Sequence, residues 1–207
     1  MQVHKFLQLI TATFLQLGLM TGTARADIPL PEAQTFQVTA RREDVQRATP
    51  PLRVFVTVGT NKFTFVTPDG FQVRDDPAQQ RVIMVNADQT CTITFRINGA
   101  MPEGKSELDA KTCRDWVSNG YPDAQVLDEF SGNAAGRSGP GFNLKWNGSG
   151  RTARSAKVAF IPSAAGILKF SAVGSSAVQN GFNTVIQTFQ ASDADGKLDI
   201  QTGSDQM

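Results

Sequence analysis

CTITFRI at Cys91–Ile97 and SELDAKTCRDWVSNG at Ser106–Gly120 stand close together, and the sequence changes period between them. In the first stretch Cys91, Ile93, Phe95 and Ile97 alternate with Thr92, Thr94 and Arg96. A period of two sends alternate side chains to opposite faces of a sheet, one apolar and one polar. The second stretch predicts a helix from about Ser106 to Ser118. Ser106 is the candidate N-cap, Glu107 and Asp109 load the first turn with negative charge, and Asn119-Gly120 ends it. Cys113, Trp116 and Val117 form an apolar patch one turn wide, suited to lie on a sheet.

Strand patterns continue on both sides. Upstream lie VFVTV (Val54–Val58) and KFTFV (Lys62–Val66), then the turn TPDG with Pro68 and Asp69 at its centre, then Phe71 and Val73 on one face. RVIMV (Arg81–Val85) is nearly all apolar, as in a strand covered on both faces. Downstream, AQVLDEF (Ala124–Phe130), GFNLKW (Gly141–Trp146), AKVAFI (Ala156–Ile161) and ILKFSAV (Ile167–Val173) each alternate. The glycine- and serine-rich segments between them, SGNAAGRSGPG, NGSGR and PSAAG, read as hairpin turns of an antiparallel meander. Val178, Phe182, Val185 and Phe189, with Ile186 beside them, form one stripe of a last helix, and Gly181 suits a close helix–sheet contact. The order strands, helix, strands, helix predicts an α+β fold: an antiparallel sheet of about six to eight strands with two helices packed on it.

The flanks set the domain limits and the compartment. His4 and Lys5, the apolar run Phe6–Met20 and the small-residue segment ending Ala24-Arg25-Ala26 have the form of a signal peptide over residues 1–26, cleaved after Ala26. The apolar run is about 15 residues, short of the roughly 20 that span a bilayer. The expectation is a periplasmic or secreted protein with no transmembrane span in the mature chain. Residues 27–53, with Pro29, Pro31 and Pro50-Pro51, read as a polar linker or loosely docked arm with a short strand at Phe36–Thr39. One α+β domain follows over residues 54–191, and 192–207 is a polar tail.

Charge and composition exclude several functions. Loss of Lys5 and Arg25 with the leader brings the net charge to about −1, which offers no electrostatic footprint for nucleic acid. The cluster Arg41, Arg42 and Arg47 is interrupted by Glu43 and Asp44 and reads as a solvated segment. His4, the single histidine, leaves with the leader, so the mature chain has no Ser-His-Asp triad and no His-ligated metal. Cys91 and Cys113 are the two cysteines, and in an exported chain such a pair reads as a structural disulfide. With Cys91 pointing inward on its strand and Cys113 facing the sheet, a bridge would close a loop of about 23 residues, worth about 3 kcal/mol in the loop-entropy account. Two buried free thiols are the alternative.

The turn Phe65-x-x-Pro68-Asp69-Gly70-Phe71, the paired strands after it, the mid-chain helix, the four-strand meander and a terminal helix carrying Phe182, Val185 and Phe189 resemble the PsbP-like α/β/α sandwich group. The resemblance covers Val54 to Ala191. The group includes lumenal photosystem II extrinsic proteins and exported bacterial proteins, and its members look like binding or assembly factors without a catalytic centre. The chain departs from the photosynthetic members in lacking histidines in its mature part, and nothing in it marks a photosystem partner.

Other constellations have plain readings. Asp193, Asp195 and Asp199 sit around Gly196, but in an EF-hand register Ala191 and Thr202 fall where the first and twelfth ligands belong, so the segment reads as polar tail. Asp75-Asp76 reads as a solvated loop and Asp128-Glu129 as a strand edge, since adjacent acids on a strand point to opposite faces. Trp116, Tyr121 and Trp146 read as core anchors ahead of an aromatic platform for sugar or peptide. Asn147-Gly148-Ser149 is a formal glycosylation sequon. No catalytic, cofactor or metal residue emerges. The chain reads as an exported, non-catalytic protein-binding or assembly module whose partner is another envelope or secreted protein. A small carboxylate-dependent hydrolase and a sugar- or calcium-binding module are the alternatives.

Overall fold

In the computed structural model, which describes residues 35–43, 50–146, 154–175 and 177–192, the alternating segments form two sheets. β1 (Phe36–Arg42), β2 (Leu52–Val58), β3 (Asn61–Val66) and the short β11 (Gln190–Ser192) make a four-stranded sheet in that order. β4 (Phe71–Asp76), β5 (Arg81–Asn86), β6 (Cys91–Ile97), β7 (Ala124–Ala134), β8 (Arg137–Trp146), β9 (Ser155–Ser163) and β10 (Gly166–Gly174) make a seven-stranded sheet ordered β4-β5-β6-β10-β9-β8-β7. Every pairing is antiparallel. The helices are α1 (Ala110–Gly120) and α2 (Val178–Thr188). The class is α+β, as the change of period predicts.

The strand order follows from one crossover. After β6, at the middle of the large sheet, α1 carries the chain to the far edge. The meander β7-β8-β9-β10 then returns until β10 pairs with β6, Phe170 opposite Phe95. α1 therefore lies over the returning strands. Cys113 and Val117 pack there with Phe142, Leu144, Val158, Phe160 and Ile167. The opposite face carries the larger core. Ile93, Phe95, Leu168 and Phe170 meet Val54, Val56, Phe63 and Phe65 of the small sheet, Phe182, Val185 and Ile186 from α2, and Phe189 just after it. Phe95 is at its centre, with ring contacts to Phe63, Phe65, Phe170 and Phe189 at centroid distances of 5.8, 5.6, 5.3 and 5.3 Å.

The structure revises several expectations. The predicted arm is not loose where it is described: β1 runs through Arg42 and pairs with β2 along seven residues, from Phe36 opposite Val58 to Arg42 opposite Leu52. The described sheet accordingly extends upstream of Val54, to Phe36. The helix starts later than expected, because Asp109 and not Ser106 is its cap. The Asp109 carboxylate accepts from both the backbone N–H and the hydroxyl of Thr112, each at 2.9 Å. The Pro-Asp-Gly turn centres on Asp69 and Gly70, with the Phe71 N–H donating to the Pro68 carbonyl and Gly70 at φ +79°. β3 and β4 belong to different sheets, and the turn is a corner between them.

The segment SGNAAGRSGPG is almost entirely strand. Only Ala135 and Gly136 form the turn, at φ +49° and +72°, the positive-φ pair of a two-residue hairpin loop. The other glycines serve close approach: a Cβ on Gly139 would sit 1.9 Å from the Phe160 carbonyl oxygen, and one on Gly132 would sit 2.7 Å from Ala159 Cβ. The NGSGR segment with its sequon, residues 1–34 with the signal peptide, and Asp193, Asp195 and Asp199 lie outside the described residues.

The disulfide expectation is corrected. Cys91 and Cys113 are both buried and both free. Cys91 belongs to the core shared with α2, whereas Cys113 belongs to the core under α1. The sheet itself separates them. Each was rightly expected to face the sheet interior, but a sheet covered on both sides has two interiors.

Candidate functional site

Among the described residues α1 covers β8, β9 and β10, and no described helix lies over the same face of β4, β5 and β6. Its residues fall in rows set by the strand register. One row runs Asp76, Arg81, Arg96, Lys169 and Phe160 across β4, β5, β6, β10 and β9. The next runs Arg74, Ile83, Thr94, Ser171 and Val158. A third runs Gln72, Val85, Thr92, Val173 and Ala156. Gln72 and Arg74 are exposed, and Ile83, Val85, Thr92, Thr94 and Arg96 are half-buried. A groove of about 340 Å³ lies at one end, lined by Gln72, Arg74, Val85, Asn86 and Thr92.

The charge on this face is not balanced. Asp76 pairs with Arg81, Oδ2 to Nη2 at 2.8 Å and to Nε at 2.9 Å. Among the described residues Arg96 and Lys169 form no ion pair, and the buried Arg96 Nε has no hydrogen-bond partner. Like charges opposite one another on adjacent strands are unfavourable. The Lys169 ammonium lies 4.8 Å from the Tyr121 ring centroid and 5.6 Å from that of Phe160. Burial against these rings, with the Arg96 guanidinium beside it, lowers the Lys169 pKa to about 8. Burial also raises the Tyr121 phenol, partly offset by its hydrogen bond with Ser171 and by Arg96.

The residues singled out in the sequence are dispersed by comparison. Asp75-Asp76 ends β4 rather than lying in a loop, and Asp76 also accepts from the Gln79 N–H. Asp128 and Glu129 lie on the edge strand β7, Asp128 accepting from the Asn143 amide and Glu129 pairing with Arg114. Asp76, Asp128 and Glu129 therefore have separate partners. Trp116 packs edge-on to Phe160 at 5.5 Å, and Tyr121 to Trp146 at 6.1 Å, with Trp146 Nε1 donating to the Pro122 carbonyl. All three rings lie against the core under α1. Arg41 and Arg42 are exposed on β1. Among the described residues no three His, Cys, Asp or Glu side chains cluster as a metal site would need, and no helix is long and apolar enough to cross a membrane.

Sequence reasoning passed over Arg96 and Lys169. The available signal was a lone cation inside each of two otherwise uncharged strands, CTITFRI and ILKFSAV. That the two cations are neighbours depends on the pairing of β6 with β10, about 70 residues apart.

Fold and face together define a two-sheet α+β protein with one uncovered, cationic half-face. No family model matches the chain, and no curated protein matches it. Among solved structures it is similar to cyanobacterial PsbP from Synechocystis, with 14% identity and a TM-score of 0.42, over 84% of this chain and 97% of that one. That protein is of the group the sequence resembles.

Proposed function

We propose that the protein is a non-catalytic binding or assembly module that acts outside the cytoplasm, after loss of residues 1–26, by engaging another envelope or secreted protein. The observation that carries the reading is the uncovered half-face of β4–β6, which presents Arg74, Ile83, Val85, Thr94 and Arg96 together. Mixed apolar and arginine surface of this kind suits a protein interface. A carboxylate-dependent hydrolase finds less support, because Glu43, Asp76, Glu129, Asp128 and Asp109 are engaged separately, with Arg53, Arg81, Arg114, Asn143 and Thr112 in turn. Sugar binding finds little either, with Trp116, Tyr121 and Trp146 packed on the core.

The test is affinity capture of the mature chain from its own envelope fraction, with Ile83→Glu on the open face and Phe55→Glu on the outer face of the small sheet as parallel baits. Phe55 is 42% exposed, so the second variant is tolerated by the fold. A stoichiometric partner held by the native chain and by Phe55→Glu but lost with Ile83→Glu supports the reading. A partner lost only with Phe55→Glu refutes the assignment to this face. Intact-mass measurement of the exported protein checks the leader, the expected N-terminus being Asp27.

A further inference from the structure

We propose that Arg96 and Lys169, with Tyr121 and Ser171 beside them, form an oxyanion-binding site that receives one carboxylate or phosphate group of a ligand. The inference deepens the binding role proposed above and rests on that reading, the site lying at the border of the open half-face where β6 meets β10.

Four features converge. The strand register places Arg96 directly opposite Lys169, and Arg81 directly opposite Arg96, so three cations stand in one row. The single acid of that row, Asp76, is already held by Arg81 and leaves the other two unneutralised. Arg96 Nε is buried and lacks a hydrogen-bond partner, a state that buried polar groups rarely keep without a ligand or water to fill it. The Lys169 ammonium lies over the ring faces of Tyr121 and Phe160 and makes no ion pair among the described residues. A purely structural cation would gain more from solvent or from a carboxylate than from lying beside another cation.

An incoming oxyanion satisfies every part of this arrangement. The guanidinium offers a planar fork to two oxygens, and the ammonium adds a compact second charge. Ser171, opposite Thr94 in the next row, and Tyr121, whose ring lies 4.8 Å from the ammonium, supply hydroxyl groups beside them. Bound anion would favour the charged lysine, reversing the depression caused by burial and Arg96.

The full mature chain is titrated separately with inorganic phosphate and with glutarate, following the Arg96 Nε–H, the Tyr121 ring and the Lys169 side chain by NMR. The expected result is a saturable shift of all three groups with at least one of the two anions, together with a rise in the Lys169 pKa. Affinity should fall about tenfold or more in Lys169→Met and in Arg96→Lys, which keeps the charge but loses the fork. Tighter binding of glutarate assigns the site to carboxylates, and tighter binding of phosphate assigns it to phosphoryl groups. Absence of a saturable shift with both anions overturns the proposal, as does an identical shift in both variants. The measurement needs no protein partner, so loss of the capture result above leaves it standing, and the reverse holds as well.

Discussion

Cys91 and Cys113 stand on opposite faces of the seven-stranded sheet, the first in the core shared with α2 and the second beneath α1. Burial raises both thiols to about 11, with Asp88 adding to the effect at Cys91 and Asp109 at Cys113. The native protein should therefore react with neither cysteine at neutral pH, since the thiolate is the reactive form. Unfolded protein should titrate two thiols, with the same count before and after reduction. A smaller count before reduction would show a bridge that this fold cannot accommodate. The raised values also fix a sign: the protonated thiols stabilise the fold fully below about pH 9, and that contribution is lost as pH rises through about 11.

Lys169 acts in the opposite direction. Its folded value of about 8 lies below the ordinary 10.5, because burial and Arg96 disfavour the charge. Below about pH 8 the lysine is charged in both states and the folded form bears the cost. Between about 8 and 10.5 the folded protein sheds a proton that the unfolded chain keeps, so stability from this group rises with pH. Lys169→Met should raise stability at pH 7 by roughly 1–2 kcal/mol, less than the full shift because the ring contacts are partly kept. Its advantage should shrink toward pH 10. Urea unfolding of both proteins at pH 7 and pH 10 checks this, and a variant less stable at pH 7 would mean the ammonium is a net stabiliser.

Asp109 links the helix cap to Cys113. Hydrogen bonds from the Thr112 N–H and hydroxyl hold its carboxyl below the usual carboxylate range. The cap is therefore intact above the ordinary value of 3.8 and is lost as pH falls through the lowered folded value. Asp109→Ala should loosen the start of α1 and admit thiol reagents to Cys113 while Cys91 stays protected. Labelling followed by peptide mass mapping separates the two sites. Equal acceleration at both would point to global unfolding instead.

What the sequence showed clearly was anything with a local cause. The alternation of Cys91, Ile93, Phe95 and Ile97 and the stripe Val178, Phe182, Val185 and Phe189 are all buried as their spacing requires. The division into two sheets was not local. Phe65 and Phe71 look like one continuous hairpin across Pro68-Asp69-Gly70, yet the strands on either side of that corner join different sheets. β11 was invisible because three residues carry no usable period. In β7 the even-numbered residues change faces: Val126 packs under α1, whereas Phe130 and Ala134 pack on the other side, because a bulge at Leu127 interrupts the pleat. The cationic row was the least legible part, since Asp76, Arg81, Arg96 and Lys169 are brought together by three separate strand pairings.

Gly139 gives the sharpest test of the packing between β8 and β9. Glycine-rich sequence there suggested a flexible turn, but Gly139 lies in β8, paired with Gly132, with the Phe160 backbone against its open side. An added methyl would stand 1.9 Å from the Phe160 carbonyl oxygen and 3.0 Å from its carbon. Neither atom can swing away as a side-chain tip could, because Phe160 is held in β9 and its ring is fully buried. Gly139→Ala should therefore separate β8 from β9 and cost about 3 kcal/mol or more, enough to endanger folding. Gly104→Ala is the control, at φ +72° with nothing within 4 Å, and should cost about 1 kcal/mol from backbone strain alone. Chemical denaturation of the two variants side by side separates steric packing from glycine's conformational freedom. Equal losses would mean that β8 and β9 are not as closely apposed at Phe160 as the structure shows.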